Sequence, residues 1–203
     1  MSDHYFSRRP SSRERLGLVR CRLRGQDFEF LTSPGIFSYR KLDLGTRLLV
    51  ESMVLPGSGR VLDVGCGYGP VGIVAARLEP GLDVWMTDVN ERAVRLAKRN
   101  CGRNRVSCVV REGNLYRPVG EMTFDVVLSN PPFSAGMKRV VEPLVDGAWD
   151  RLVEGGSLQL VVRTNVGGRA LSALMEGRFG EVEVLGRGSG FRVLRSVKPG
   201  PVD

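Results

Sequence analysis

Residues 60–79, RVLDVGCGYGPVGIVAARLE, decide the fold. Arg60 to Gly65 form a short apolar run of the kind that makes a buried strand. Gly65, Gly67 and Gly69 follow at alternate positions, and an apolar stretch of helical spacing then runs to Pro80, which stops it. A strand that passes through a glycine-rich turn into a helix is the opening unit of a doubly wound α/β sheet.

The unit then repeats. DVWMTDV (83–89) is read as a strand and NERAVRLAKRNCGR (90–103) as a helix with Asn90 at its N-cap. VSCVVREG (106–113) and FDVVLSN (124–130) are read as strands, and VVEPLVDGAWDRLVEGG (140–156) as a helix ended by Gly155-Gly156. SLQLVVRT (157–164) is a further strand, a helix follows near 169–177, and residues 181–197 form a hairpin turning at Gly188-Ser189-Gly190. Apolar strands alternating with amphipathic helices predict a mostly parallel sheet covered on both faces, with the closing hairpin adding an antiparallel edge. Upstream, residues 16–33 alternate on both sides of Arg24-Gly25-Gln26 and predict a β-hairpin, and residues 41–53 predict a helix. One domain over 15–203 is expected, with the hairpin and first helix in 15–56 and the core in 57–203. Residues 1–14 are polar, basic and expected to be loosely held unless a partner orders them.

Open sheets of this kind bind ligands at the carboxyl ends of their strands, where strand order reverses. The predicted ends are Asp63-Val64-Gly65, Asp88, Asn114 and Asn130, all polar or glycine except Val64. A dinucleotide turn would read GxGxxG, whereas this one reads GxGxG with Asp63 before the first glycine. An acid there suits a ligand with a positive amino group and sits badly beside a pyrophosphate. Asp88 suits ribose hydroxyls.

The chain of 203 residues is 42% hydrophobic and 26% charged, ordinary values for a globular domain. No apolar run approaches the ~20 residues of a membrane span, and the N-terminus is polar and arginine-rich, so a cytoplasmic protein with no membrane partner is expected. Four scattered cysteines with no CxxC pair, and a single histidine, His4, predict no metal site and reduced thiols. The net charge is +8, and Arg8, Arg9, Arg13, Arg15, Arg20, Arg22 and Arg24 crowd the start of the chain. Arginine's planar fork suits phosphate, and such a patch points to a nucleic-acid partner.

The strand FDVVLS runs into Asn130-Pro131-Pro132-Phe133. Two prolines cannot continue strand pairing, so the turn is either a plain strand stop or a rigid shelf presenting Asn130 and Phe133. With these residues in view, the sequence resembles the class I S-adenosylmethionine-dependent methyltransferases. More narrowly, it is similar to the ribosomal small-subunit RNA guanine-N2 methyltransferase family and its single-domain archaeal relatives. The stretches that carry the similarity are HYFSRRP, FLTSPGIFSYRKLDLGTRLLVE, VLDVGCGYGPVGIVAA, MTDVNERAVRLAKRN, FDVVLSNPPFSAG and GFRV.

The resemblance implies a Rossmann-like fold with a seven-stranded, mostly parallel sheet, an antiparallel last strand and an N-terminal hairpin. It implies S-adenosylmethionine over Gly65, Cys66, Gly67 and Gly69, with Asp63 near its amino group and Asp88 on the ribose. Val89 and Asn90 would flank the adenine, and Asn114 with Leu115 would stand where the family usually has an adenine-binding Asp. Thr46 would reach the cofactor or else cap and pack its helix. Asn130 and Pro131 would accept from a substrate amine, Pro132 would stiffen the turn and Phe133 would stack on the base. Phe37 either covers the other face of the base or anchors its loop in the core. Arg20, Arg22, Arg24 and Lys138 would meet RNA phosphates, or Lys138 is a solvated helix start. The implied partner is small-subunit ribosomal RNA or an assembling subunit, with monomer and homodimer both open. Two alternatives stand beside this: a protein glutamine N5-methyltransferase acting on a release factor, and a catalytically silent RNA-binding module. The bacterial guanine-N2 enzymes have a second amino-terminal domain that so short a chain is not expected to include, so its substrate selection is expected to differ.

Overall fold

The computed structural model describes residues 15–133 and 136–200; the expectations for residues 1–14 lie outside these. β1 (Gly17–Leu23) and β2 (Gln26–Thr32) form the antiparallel hairpin, and α1 (Leu44–Ser52) follows it. The remaining elements are β3 (Gly59–Val64), α2 (Pro70–Leu78), β4 (Leu82–Asp88), α3 (Glu91–Arg103), β5 (Val109–Glu112), β6 (Phe124–Ser129), α4 (Glu142–Arg151), β7 (Leu152–Arg163), α5 (Gly168–Phe179), β8 (Glu183–Gly188) and β9 (Phe191–Val197). The main sheet has the order β5-β4-β3-β6-β7-β9-β8. β3 pairs in parallel with both β4 and β6, so strand order reverses at β3/β6 and the ligand crevice opens there.

Alternation along the central strands sorts the core into two layers. Val61, Val126, Val161 and Val193 face the layer built with α1, α2, α3 and the hairpin. Leu62, Val127, Leu160, Val162 and Leu194 face the opposite layer, with α4 and α5. The hairpin is fastened by two asparagines four residues apart, Asn100 on α3 and Asn104 at its C-cap. Asn100 exchanges hydrogen bonds with Leu31 N (2.7 Å) and O (2.9 Å), and Asn104 with Glu29 N (3.1 Å) and O (2.8 Å). Their amides complete the open edge of β2 as a neighbouring strand would.

The closing hairpin adds the antiparallel edge as expected, with β9, the antiparallel last strand, between β7 and β8. One expectation needs correction. The helix expected over 140–156 is shorter. It is entered through a π-helical turn at Met137–Val141 and ends at Arg151. Lys198 Nζ donates to the carbonyls of Trp149 (2.8 Å) and Leu152 (2.9 Å), a C-terminal cap supplied from beyond β9. Leu152 already pairs with Phe124, so Gly155 and Gly156 serve a bulge in β7 and not a helix stop. A side chain at Gly156 would press on the carbonyls of Val153 and Asp125 at 2.9 and 3.0 Å.

Candidate active site

A cavity of about 1140 Å³ opens at the β3/β6 reversal. Its floor comes from the turn after β3. Gly65 (φ +71°) and Gly67 (φ +58°) adopt left-handed backbone, and a Cβ on either would meet no atom within 4 Å. Packing therefore leaves room for side chains there, and the missing Cβ atoms leave a bare backbone cradle open to a ligand. Gly69 differs: it is not among the cavity-lining residues, and a Cβ would come within 2.9 Å of Ile73 Cδ1 and 3.3 Å of Ala97 Cβ. That glycine serves the packing of α2 on α3, which corrects its expected place at the ligand.

Asp63 is 1% exposed, and its Oδ2 accepts from Gly72 N (3.0 Å) in the first turn of α2. Burial, with the Asp88 charge adding to it, raises its pKa to about 7 against the pull of the Gly72 N–H. Asp88 ends β4; its Oδ2 accepts from Gly67 N (2.8 Å) and its Oδ1 from Asn90 N (2.8 Å). Burial raises its pKa to about 6 in spite of those N–H groups. Asn90 caps α3 with Oδ1, while its Nδ2 donates to Gly35 O (3.0 Å). With Arg92, which donates to Pro34 O, it ties the Pro34–Gly35 loop to α3. That tie turns Ile36 into the core (2% exposed) and leaves Phe37 45% exposed on the cavity wall, so Phe37 is not the core anchor of its loop. Val89, Cys66, Leu115 and the exposed Asn114 also line the cavity.

Across the opening, β6 ends in the Asn130–Phe133 turn, where Phe133 N donates to Pro131 O (3.0 Å). That bond leaves one lone pair of the Pro131 carbonyl for another donor. Asn130 Nδ2 donates to Asp43 Oδ2 (3.0 Å) and to Thr46 Oγ1 (2.9 Å). Both amide hydrogens are thus spent on α1, and Oδ1 is left with no donor among the described residues. Thr46 was expected at the cofactor. It lines the cavity and also carries this contact. The same Asp43 Oδ2 caps α1 by accepting from Thr46 N (2.9 Å).

Sequence reasoning missed Asp43, although the Asp-x-x-Thr spacing before an apolar helix was a capping signal. It also missed Tyr68, which lines the cavity and whose buried hydroxyl has no hydrogen-bond partner among the described residues. Ser129 was missed too; its Oγ donates to Val64 O (2.6 Å) and ties β6 to β3 at the reversal. Lys138 is exposed and does not line the cavity, whereas its neighbour Arg139 does. The structure does not bring Arg20, Arg22 and Arg24 to the cavity. Arg20 Nε is engaged by Glu29 (2.7 Å), Arg24 holds the Glu51 carbonyl at the end of α1 (2.8 Å), and Arg22 O accepts from Arg47 (3.0 Å). Arg8, Arg9 and Arg13 lie outside the described residues.

Asp43, Asp63 and Asp88 all line this cavity, so its interior favours a cationic ligand and repels a pyrophosphate. S-adenosylmethionine, with an amino group, a sulfonium and a ribose, fits that donor set and the bare Gly65–Gly67 cradle. The residues that would hold it are Asp63 toward the amino group, Asp88 on the ribose, and Val89 and Asn114 beside the base. Fold and crevice together define a class I S-adenosylmethionine-dependent methyltransferase.

Comparison with known proteins agrees. Residues 27–195 match the methyltransferase small domain, and the chain belongs to that family. It is 36% identical over 201 residues to the uncharacterized protein YbxB of Bacillus subtilis, covering 98% of this chain and 100% of that one. It is 34% identical over 174 residues to ribosomal RNA small subunit methyltransferase C of Hamiltonella defensa, covering 84% of this chain and 51% of that enzyme. Among solved structures it is similar to the T. thermophilus 16S rRNA N2 G1207 methyltransferase (RsmC) in complex with AdoMet and guanosine. The TM-score there is 0.80 at 27% identity, over 93% of this chain and 52% of that one. The chain therefore spans about half the length of the ribosomal RNA methyltransferases it matches.

Proposed function

We propose that the chain methylates an exocyclic base amine in RNA, guanine N2 of small-subunit ribosomal RNA. The observation that carries this is the fixed Asn130 amide, whose two hydrogens are held by Asp43 and Thr46 while Oδ1 is left to accept. An acceptor of that kind, beside the remaining lone pair of Pro131 O, suits an NH₂ group with two hydrogens to donate. The likeness to an enzyme solved with AdoMet and guanosine supports guanine as the base.

The lone pair of guanine's exocyclic amine is delocalised into the ring, which makes it a poor nucleophile. Asn130 Oδ1 and Pro131 O, accepting its two hydrogens, hold the nitrogen out of conjugation with its lone pair turned to the cavity. Phe133 and Phe37, both on the cavity wall, offer faces for an unstacked base. When bound, S-adenosylmethionine supplies a methyl group already activated by the sulfonium. Positioning then provides most of the barrier reduction, and no strong base is needed. No histidine is among the described residues that line the cavity, which is consistent with this.

The test offers radiolabelled S-adenosylmethionine with unmodified small-subunit RNA, partly assembled subunits and release factor, to wild type and to Asn130→Ala. Label is expected in N2-methylguanosine, with the variant binding cofactor normally and losing transfer. Label in protein glutamine would replace the substrate, and unchanged turnover by Asn130→Ala would remove the mechanism.

A further inference from the structure

Resting on that reading of the substrate, we propose that RNA backbone phosphates are held on the rim formed by Arg163, Arg169, Arg187 and Arg192, beside Phe133, and not on the β1–β2 hairpin. The rim starts where the base platform ends. A Cβ on Gly167 would lie 3.2 Å from the Phe133 ring, so the loop between β7 and α5 packs directly on that side chain. Arg163 and Val166 of this segment line the cavity, and Val166 is 56% exposed.

From there the arginines follow the sheet outward. Arg163 ends β7 with its guanidinium 5.0 Å from the Phe191 ring centroid. Arg192 on β9 lies with its guanidinium against Gly168, where a Cβ would come within 2.6 Å of Nη2. Arg187 on β8 is its cross-strand partner. Arg169 is exposed in the first turn of α5, at the edge of a smaller concavity lined also by Thr164, Asn165 and Gly168. Arg192 and Arg187 share the face of α5, while Arg163 ends β7 on the opposite face with Phe191, so the guanidiniums border the end of the sheet on both faces. The uncapped N-terminus of α5 adds backbone N–H groups and a favourable dipole beside Arg169.

Absence of acid makes this surface different from the hairpin. Residues 155–175 and 184–200 contain no Asp or Glu. None of the four guanidiniums pairs with a carboxylate among the described residues. On the hairpin, Arg20 pairs with Glu29, which Arg103 shares, the Arg24 guanidinium is taken up by the carbonyls of Glu51 and Met53, and Asp27 stands opposite Arg22. Paired charge of that kind releases few counterions from a polyanion, whereas unpaired arginines release about one per phosphate met.

Two double variants that remove equal charge make the test: Arg169→Gln/Arg187→Gln on the rim and Arg20→Gln/Arg22→Gln on the hairpin. Binding to a small-subunit RNA fragment is measured across a salt series, together with methyl transfer and cofactor affinity. The rim variant is expected to lower the slope of log K against log salt by about 1.4–1.8, at 0.7–0.9 per lost phosphate contact. It should raise KM for RNA while leaving kcat and cofactor affinity as in wild type. The hairpin variant should keep the wild-type slope. An unchanged rim slope, or equal losses in both variants, overturns the assignment while methylation of RNA by wild type leaves the substrate reading intact. If wild type neither binds nor methylates RNA, both fall together.

Discussion

Replacing Asp43 with serine tests whether the amide of Asn130 must be held one way round. Oδ1 and Nδ2 of an asparagine are nearly isosteric, and only their partners decide which faces the substrate. Here Nδ2 points at a carboxylate oxygen 3.0 Å away and a hydroxyl 2.9 Å away. Turning the amide over would forfeit a charge-assisted hydrogen bond, worth about 1.5–3 kcal/mol, and set two oxygens against each other. At about 1.4 kcal/mol per tenfold, the bias toward the accepting orientation is roughly 10- to 150-fold. Thr46 cannot supply it, because a hydroxyl donates as readily as it accepts.

Serine is as good a cap as aspartate, so α1 should persist, but its hydroxyl is one bond shorter and falls short of Asn130. In a single-turnover assay with saturating cofactor, Asp43→Ser is expected to lose about twofold in the methyl-transfer rate, because without the bias the accepting orientation falls from nearly full to about half population. Its melting temperature and cofactor affinity should stay close to wild type. Asp43→Asn retains both the cap and a carbonyl oxygen, and should recover most of the rate. Wild-type turnover by Asp43→Ser would refute the reasoning. So would equal losses in the serine and asparagine variants, which would point to charge in the cavity and not to orientation. Weakened cofactor binding at unchanged rate would make Asp43 a cofactor ligand.

Two further outcomes follow from the same structure. Folded-state pKa values of about 7 for Asp63 and about 6 for Asp88 lie above the ordinary carboxylate value, so between about pH 4 and 7 the cofactor-free fold binds more protons than the unfolded chain. Its stability should therefore fall as pH rises through that window, by up to about 1.4 kcal/mol per unit per group. A cationic amino group beside Asp63 and hydroxyl donors on Asp88 favour the ionised carboxylates, so cofactor binding should release protons near pH 6 and tighten toward pH 7.5. Calorimetry in buffers of different ionisation enthalpy measures this, and proton uptake on binding would contradict it. On the hairpin, Asn100→Ala orphans the N–H and C=O of Leu31 and the carbonyl of Tyr68, and should cost about 2–4 kcal/mol in urea unfolding. A loss below about 1 kcal/mol would mean that water replaces the side chain at that edge.

The parts of the fold legible in the sequence were those fixed by local pattern. The Arg60–Glu79 unit, its repeats and the polar strand ends are each set by residues within one turn or one strand of each other, and each is present in the expected order, with β5 confined to Val109–Glu112 and α4 to Glu142–Arg151. What escaped was set by distant partners. The end of α4 is decided by Phe124 claiming Leu152 and by Lys198 arriving from β9, so the glycine pair that looked like a stop was free to shape a bulge. Asp43 and Asn130 stand 87 residues apart, and no spacing rule joins a helix cap to a strand end across that separation. Gly69 carried the right motif position for the wrong reason, because motif spacing does not say whether a missing Cβ makes room for a ligand or for Ala97.

The expected RNA surface shows the same limit in electrostatic form. Composition counts charges, and by count the densest arginine run in the described chain is Arg15 to Arg24. Potential at a surface depends on which charges stay uncompensated, and three-dimensional neighbours decide that. β2 lays Asp27 opposite Arg22 and Glu29 opposite Arg20, while the end of α1 takes the Arg24 side chain on its carbonyls. Arg163, Arg169, Arg187 and Arg192 are sparser in sequence, but none of them pairs with a carboxylate among the described residues. The result is a charge gradient across the site, from Asp43, Asp63 and Asp88 inside the cavity to unpaired guanidiniums at its mouth. An acidic interior beside a basic rim suits a small cation within and a polyanion across the opening. A polypeptide substrate would need the first half of that gradient and would leave the second without a task.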